Sequence, residues 1–163
     1  MHIELALLVF AGVCGGTSAI ASTHKAPGPC LHYQHEALSH SNGGTHIPQE
    51  VALSGELIER TYWGPPNWGE HPATDRLEDA WLLLLDTPIC VEADSGSVNN
   101  NVTEINVIVV QLVVLDPAPD NKSLKEVERL VGRRVAVKGV LNHAVTGHNR
   151  TPVLLMVASI NAA

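Results

Sequence analysis

Two well-separated stretches place apolar side chains at every second residue, and that period is the strongest constraint on what the chain can fold into. Val51, Leu53, Gly55 and Leu57 alternate with Ala52, Ser54, Glu56 and Ile58, while Val135, Val137, Gly139 and Leu141 alternate with Arg134, Ala136, Lys138 and Val140. A period of two turns one set of side chains inward and the other toward water, as in a half-buried β-strand. Three further segments read as strands by composition. Residues 81–85 are a continuous apolar run that resumes, after Asp86-Thr87-Pro88, with Ile89, Cys90 and Val91. Residues 105–115 are rich in valine, and residues 153–160 close the set.

The connections carry their own signals. The stretch T-Y-W-G-P-P-N-W-G-E-H-P, from Thr61, contains Gly64, Pro65, Pro66 and Gly69, which stop a helix or a central strand, so a loop is expected as far as about Glu78. Asn99 to Asn101 reads as a polar turn, and Asp116-Pro117-Ala118-Pro119 ends the third strand. Ser123-Leu124-Lys125-Glu126 has the form of a capping box, with Leu124, Val127, Leu130 and Val131 on one helical face and Gly132 as the stop. The fourth strand is expected over 134–142.

Three strands, one short helix and two strands is the element order of the oligonucleotide/oligosaccharide-binding (OB) fold, a small five-stranded β-barrel. The expected fold is therefore mainly β, an OB-like barrel with the helix between its third and fourth strands. Gly55 and Gly139 suit the sharply bent strands of such a barrel.

A chain of 163 residues, 45% of them apolar, supports one core and is too short for two full-sized domains. The barrel is assigned to residues 50–163. Residues 3–13 form a short apolar run followed by small residues and Ala19-Ile20-Ala21, the pattern of a secretory signal over residues 1–21, although His2 and Glu4 stand where Lys or Arg is usual. That run is too short to cross a bilayer, so no stable membrane span is expected once the signal is removed. Residues 22–49 hold His24, His32, His35, His40 and His46 at irregular spacing with no hydrophobic period, and read as an irregular polar leader.

Cleavage after Ala21 would remove Cys14 and leave Cys30 and Cys90, an even number that in an exported chain points to a disulfide. Ten lysines and arginines against 17 acids give a formal charge of −7, which argues against a nucleic-acid partner, since phosphate-backbone binding needs a concentrated positive surface.

Several segments together resemble a bacterial family, domain of unknown function 4431. They are Cys30-Leu31-x-Tyr33, "VALSGEL" from Val51, "GPPN" from Gly64, "LDTPICV" from Leu85, "LVGRRVAVKGVL" from Leu130 and "HAVTGHNRTPVLL" from His143. The resemblance implies an exported bacterial protein, secreted or periplasmic, with a small β-rich domain, and supports the pairing of Cys30 with Cys90. It implies no activity. Trp63 and Trp68 depart from the family's pattern around Gly-Pro-Pro-Asn, and Asn149-Arg150 stands where further histidines are common, which weakens a metal reading of that loop.

In the OB architecture, ligands bind on strands two and three together with the loops joining strands one to two and four to five. Here those loops carry Tyr62, Trp63, Asn67 and Trp68 in the first, and His143, Thr146, His148, Arg150 and Thr151 in the second. Aromatic faces beside a few polar groups suit a sugar or a flat heterocycle. The same aromatics can instead cap the barrel mouth, and the histidines can pack or hydrogen-bond across a hairpin turn in which Gly147 takes a positive φ and Thr146 or Thr151 satisfies backbone groups.

A zinc site needs three or four ligands, and His143 and His148 supply two, with His71 or Glu70 as possible additions. For nucleophilic catalysis no G-x-S-x-G or comparable arrangement is present, Cys90 is expected to be oxidised, and the acids Glu70, Asp75, Glu78 and Asp79 read as a solvated surface. No catalytic residue and no cofactor is therefore assigned. The expectation is a non-enzymatic, exported module that binds a small polar ligand or an envelope protein through residues 62–79 and 142–152, with a metal-binding protein or metal-dependent enzyme using His143 and His148 as the alternative.

Overall fold

A computed structural model of the protein describes residues 30–34, 49–115 and 122–163. The signal-like segment and most of the leader, with His24, His35, His40 and His46, lie outside the described residues. The elements in chain order are β1 (Leu31–His32), β2 (Val51–Trp63), β3 (Leu77–Glu92), β4 (Glu104–Val113), α1 (Lys122–Leu130), β5 (Arg134–His143) and β6 (Val153–Ala162). β2 pairs antiparallel with both β3 and β5, β3 with β4, and β5 with β6, while a parallel β4–β6 pairing closes the ring. The result is a five-stranded mixed β-barrel with one short helix between β4 and β5.

The alternation in β2 and β5 does what its period dictates. Leu57, Val135, Val137 and Leu141 are fully buried and meet Leu83, Val110, Val153 and Leu155 in the barrel interior. Helix α1 contributes Val127 and Leu130 to the same core. Gly132 follows it at φ +77°, and its N–H donates to the Leu57 carbonyl, so the helix stop is also a joint to β2. The helix begins at Lys122, one residue before the expected capping serine, and the Ser123 side chain lies outside the described residues.

Gly55 and Gly139 sit where strands cross too closely for a side chain. A Cβ at Gly55 would run into the Leu84 carbonyl, and one at Gly139 into the Met156 carbonyl, beside the register shift of β5 on β6.

Three element boundaries differ from expectation. Thr61, Tyr62 and Trp63 continue β2 because they find partners in Asp79, Glu78 and Leu77, and the loop is confined to residues 64–76. Pro88 does not break β3: pairing with β2 ends at Leu85, and the ladder to β4 shifts register between Leu84 and Ile89, so no hydrogen bond there depends on a proline N–H.

Residues 30–34 also belong to the barrel. Cys30 is disulfide-bonded to Cys90, Leu31 pairs with Val91, and Tyr33 is buried in the core. Burial pushes the Tyr33 phenol well above its ordinary pKa, with the Glu104 charge adding to the effect.

Candidate functional site

The 64–76 loop is organised by one carboxylate. Asp75 accepts hydrogen bonds from the backbone N–H groups of Asn67 (2.9 Å), Gly69 (2.7 Å) and His71 (3.3 Å), and from Asn67 Nδ2 (3.1 Å). Desolvation acts to raise its pKa, but these donors outweigh it and hold the group below the ordinary carboxylate value. Asn67 is thereby turned into its own loop, where it also bonds Thr74 Oγ1. Between the two bonded amides of Asn67 and Gly69 stands Trp68, at φ 57°. The conformation is rare for a bulky residue, and Asp75 fixes it from both sides.

Residues 144–152 form the hairpin turn between β5 and β6, and a second polar side chain organises it. Asn149 Oδ1 accepts from the N–H groups of Val145 (2.9 Å) and Thr146 (2.8 Å) and from Thr146 Oγ1 (3.1 Å). Thr151 is buried; it accepts from the Gln111 N–H and donates to the Val153 carbonyl, and so does the backbone-satisfying work expected of it. Thr146 contributes only to the Asn149 cap.

The two loops meet over Glu78, the β3 residue paired with Tyr62. Glu78 Oε2 accepts from Arg150 Nη2 at 3.0 Å and lies 3.0 Å from His148 Nδ1. The Arg150 side chain is 11% exposed; two further N–H groups donate to the carbonyls of Gly147 and Trp63, and its guanidinium lies over the rings of Tyr62 and Trp68 at 4.8 and 5.4 Å. The charge and both kinds of contact are thus already used within the protein. Gln111 of β4 braces the hairpin from below through the Arg150 N–H and the His148 carbonyl.

Trp68 packs edge-to-face on His148, with ring centroids 5.1 Å apart. The expected positive φ at Gly147 is not found: among the described glycines only Gly69 and Gly132 have one. Gly147 is small for a different reason, since a Cβ there would come within 2.8 Å of the Trp68 ring. Gly69 makes similar room for Trp63.

Because a carboxylate can only accept, the His148 ring donates to Glu78 through Nδ1–H, and in the Nδ1–H tautomer its Nε2 is an acceptor on a side chain that is 58% exposed. Tyr62, Trp63, Trp68, His148 and Arg150 are brought together, with Asn67 and Thr146 holding the loops that carry them.

His143 lies in a different setting. Its N–H donates to Asn100 Oδ1 (2.8 Å), its Nε2 lies 3.3 Å from Glu104, and its ring meets Tyr33 edge-on. His143 and His148 therefore neither pair across the hairpin nor share a partner, because the base and tip of the turn pack against different strands. Among the described residues, no three His, Cys, Asp or Glu side chains gather as a metal site.

The sequence reading missed the central role of Glu78, and with it Asp75, Gln111, Asn149 and Asn100. The available signal was the β2–β3 register: with Tyr62 on a strand, its partner becomes the first residue to consider beneath the hairpin.

The hairpin with its His-x4-His pattern, now placed between β5 and β6, falls in a recognisable stretch of sequence. Residues 109–161 match the family model described as Domain of unknown function (DUF4431). The DUF4431 match takes in most of the closing parallel pair, helix α1, β5 and the whole hairpin, including Gln111, His148 and Arg150. Glu78, Tyr62 and Trp68, and the leader segment with Cys30, lie outside it. No curated protein matches the chain.

Proposed function

We propose that this protein is an exported cell-envelope module without enzymatic activity, an OB-like barrel that takes a small polar ligand or a protein partner on the face made by residues 62–79 and 142–152. The observation that carries the reading is the convergence of both loops on Glu78, through His148 and Arg150. Two loops distant in sequence are locked into one surface, and their exposed members include the rings of Trp68 and His148. The ring order β2-β3-β4-β6-β5, closed by a parallel pair, supports the OB assignment, as does the helix position.

Export is supported by the apolar run at residues 3–13, by Ala19-Ile20-Ala21 and by the disulfide, which belongs in an oxidising compartment. No helix among the described residues is long and apolar enough to cross a membrane.

Incorporating a photo-crosslinking residue at Trp63 tests the reading in cells. The expected outcome is an adduct in the envelope fraction that is absent when the crosslinker is placed at Lys138, an exposed position on β5 outside both loops. Equal labelling from both positions, or from neither, refutes the assigned face.

The metal alternative makes a separate demand. Metal on His143 and His148 requires the two rings to meet, whereas Glu104 engages one and Glu78 the other. Protein purified without a histidine tag is expected to hold well below one equivalent of zinc, copper or nickel. Stoichiometric metal lost in His148→Ala would restore that alternative.

A further inference from the structure

We propose that the binding face takes an uncharged sugar chain, with one ring seated on Trp68 and a sugar hydroxyl donating to Nε2 of His148. The inference rests on the assignment of this face as a binding surface and adds the chemistry of its ligand.

Four observations lead to it. Trp68 is 41% exposed, a large fraction for an indole that its loop holds so firmly. The amides on either side of it are tied to Asp75, and its own backbone sits at φ 57°, so the loop maintains a costly conformation whose visible product is a presented ring. The neighbouring hairpin gives way to that ring: Gly147 supplies no side chain where one would strike Trp68. A ring merely capping the barrel mouth would be covered by such a hairpin, yet here, with the His148 ring steeply inclined to it and the Arg150 guanidinium over it, the indole stays 41% exposed.

The charge state of the surface selects the ligand class. Arg150, the cation at its centre, is 11% exposed, bonded to Glu78 and covered by aromatic rings, so it has little left to offer a phosphate or carboxylate. Glu78 is likewise occupied by Arg150 and His148, and Asp75 by its loop amides. What Trp68 and His148 themselves turn outward is an indole and, in the Nδ1–H form of the ring, one acceptor nitrogen, with Trp63 also exposed; Glu70, Arg76 and Asp79 are exposed on the same stretch, and a charged probe tests whether they take part.

An apolar ring face with a hydroxyl donor at its rim matches that set: the C–H face of a pyranose lies on the indole while the hydroxyl meets Nε2. A rigid platform also lowers the ordering cost of binding. A flat heterocycle shares the stacking requirement, and a charged sugar shares the ring, so both serve as comparisons.

The test is titration of the disulfide-bonded protein, as purified from the envelope, with three probes: a neutral β-1,4-linked N-acetylglucosamine tetramer, a tetragalacturonate of the same length and adenosine. Binding is read by tryptophan emission and by the backbone amide spectrum. The neutral tetramer is expected to bind, to shift the Trp68 indole and Gly147 amide signals, and to bind about tenfold more weakly to Trp68→Ala, the size expected for one stacked ring. His148→Ala, at an exposed position, is expected to weaken binding about threefold to tenfold, as for one lost hydrogen bond, with the fold intact by its amide spectrum.

Tighter binding of tetragalacturonate or adenosine at the same signals would overturn the neutral-sugar inference and leave the binding face standing. Binding of the neutral tetramer that shifts signals elsewhere, or that survives both substitutions, would overturn the seat on Trp68. Absence of binding by all three probes at millimolar concentration would overturn the inference, while the crosslinking result from Trp63 separately decides the fate of the face.

Discussion

Replacing Asn100 by alanine should destabilise the protein far more than its place in a polar turn would indicate. Asn100 is 1% exposed and joins three segments. Its Oδ1 accepts from the His143 N–H at 2.8 Å, and its Nδ2 donates to the Gln34 carbonyl at 2.9 Å. A third approach, to Asn142 Oδ1 at 3.5 Å, is at the limit of a hydrogen bond and adds little. Alanine removes one partner from each of two strong bonds and leaves an amide and a carbonyl without them. An orphaned buried polar group costs about 1–3 kcal/mol, but His143 and Gln34 are only partly buried and water can reach some of the vacated space, so a total of about 2–4 kcal/mol is expected.

Small domains are stable by about 5–15 kcal/mol, so this loss is a large fraction of the whole. Equilibrium urea unfolding, with the disulfide intact, should show a lower midpoint at unchanged slope. Hydrogen exchange at the His143 amide should accelerate beyond what the global loss explains, because that amide loses its partner outright. Asn100→Asp is the informative companion: it keeps an acceptor for His143 but turns a carboxylate oxygen toward the Gln34 carbonyl, and should cost at least as much at neutral pH. A loss below about 1 kcal/mol for the alanine variant, within the range of one ordinary net hydrogen bond, would refute the assignment of Asn100 as a joint.

Asp75 gives a pH-dependent prediction. Its pKa is lower in the folded loop than its ordinary 3.8, so its stabilisation is complete above that value and is lost as pH falls through the folded pKa. Asp75→Asn should therefore speed exchange at the Gly69 amide at pH 7, with the difference from wild type closing as the carboxyl is protonated at a pH below its ordinary 3.8; a gap that persists once it is fully protonated would refute the role. Gly147→Ala should displace the Trp68 ring and shift its emission, since the added Cβ would stand 2.8 Å from that ring, and an unchanged spectrum would count against the packed contact. Joint replacement of Cys30 and Cys90 by serine opens a bridge of sequence separation 60, for which chain entropy gives about 4 kcal/mol, measured as a fall in the urea midpoint under non-reducing conditions.

The barrel is largely legible in the sequence. Period-two alternation around Val51 and Val135, the valine-rich third strand and the Ser123-to-Gly132 helix located five strands and one helix in their correct order. Boundaries failed where a cross-strand partner overrode a local signal. Tyr62 and Trp63 stay extended because Glu78 and Leu77 pair with them, and β3 runs through Pro88 because β2 has already left its side.

The site was legible in composition and illegible in geometry. His143 and His148 look like a pair in sequence, yet one closes the base of the hairpin on Asn100 and Glu104 while the other sits at its tip against Trp68. Gly147 looked like a turn glycine and is instead a space left for an indole.

Sequence alone thus determined the five barrel strands and the helix, their order, the pairing of Cys30 with Cys90 and the residues worth watching, because periodicity, turn chemistry and cysteine count are properties of neighbouring or countable residues, whereas β1, with no period of its own, emerged only from its pairing with β3. Only the tertiary structure decided that Glu78 lies between His148 and Arg150, some seventy positions away in the chain, with Tyr62 brought alongside. That depends on strand register and on where two loops land at the same end of a closed barrel. A shift of one residue in β2 against β3 would turn Glu78 to the other face, and with it the surface on which this protein is proposed to bind.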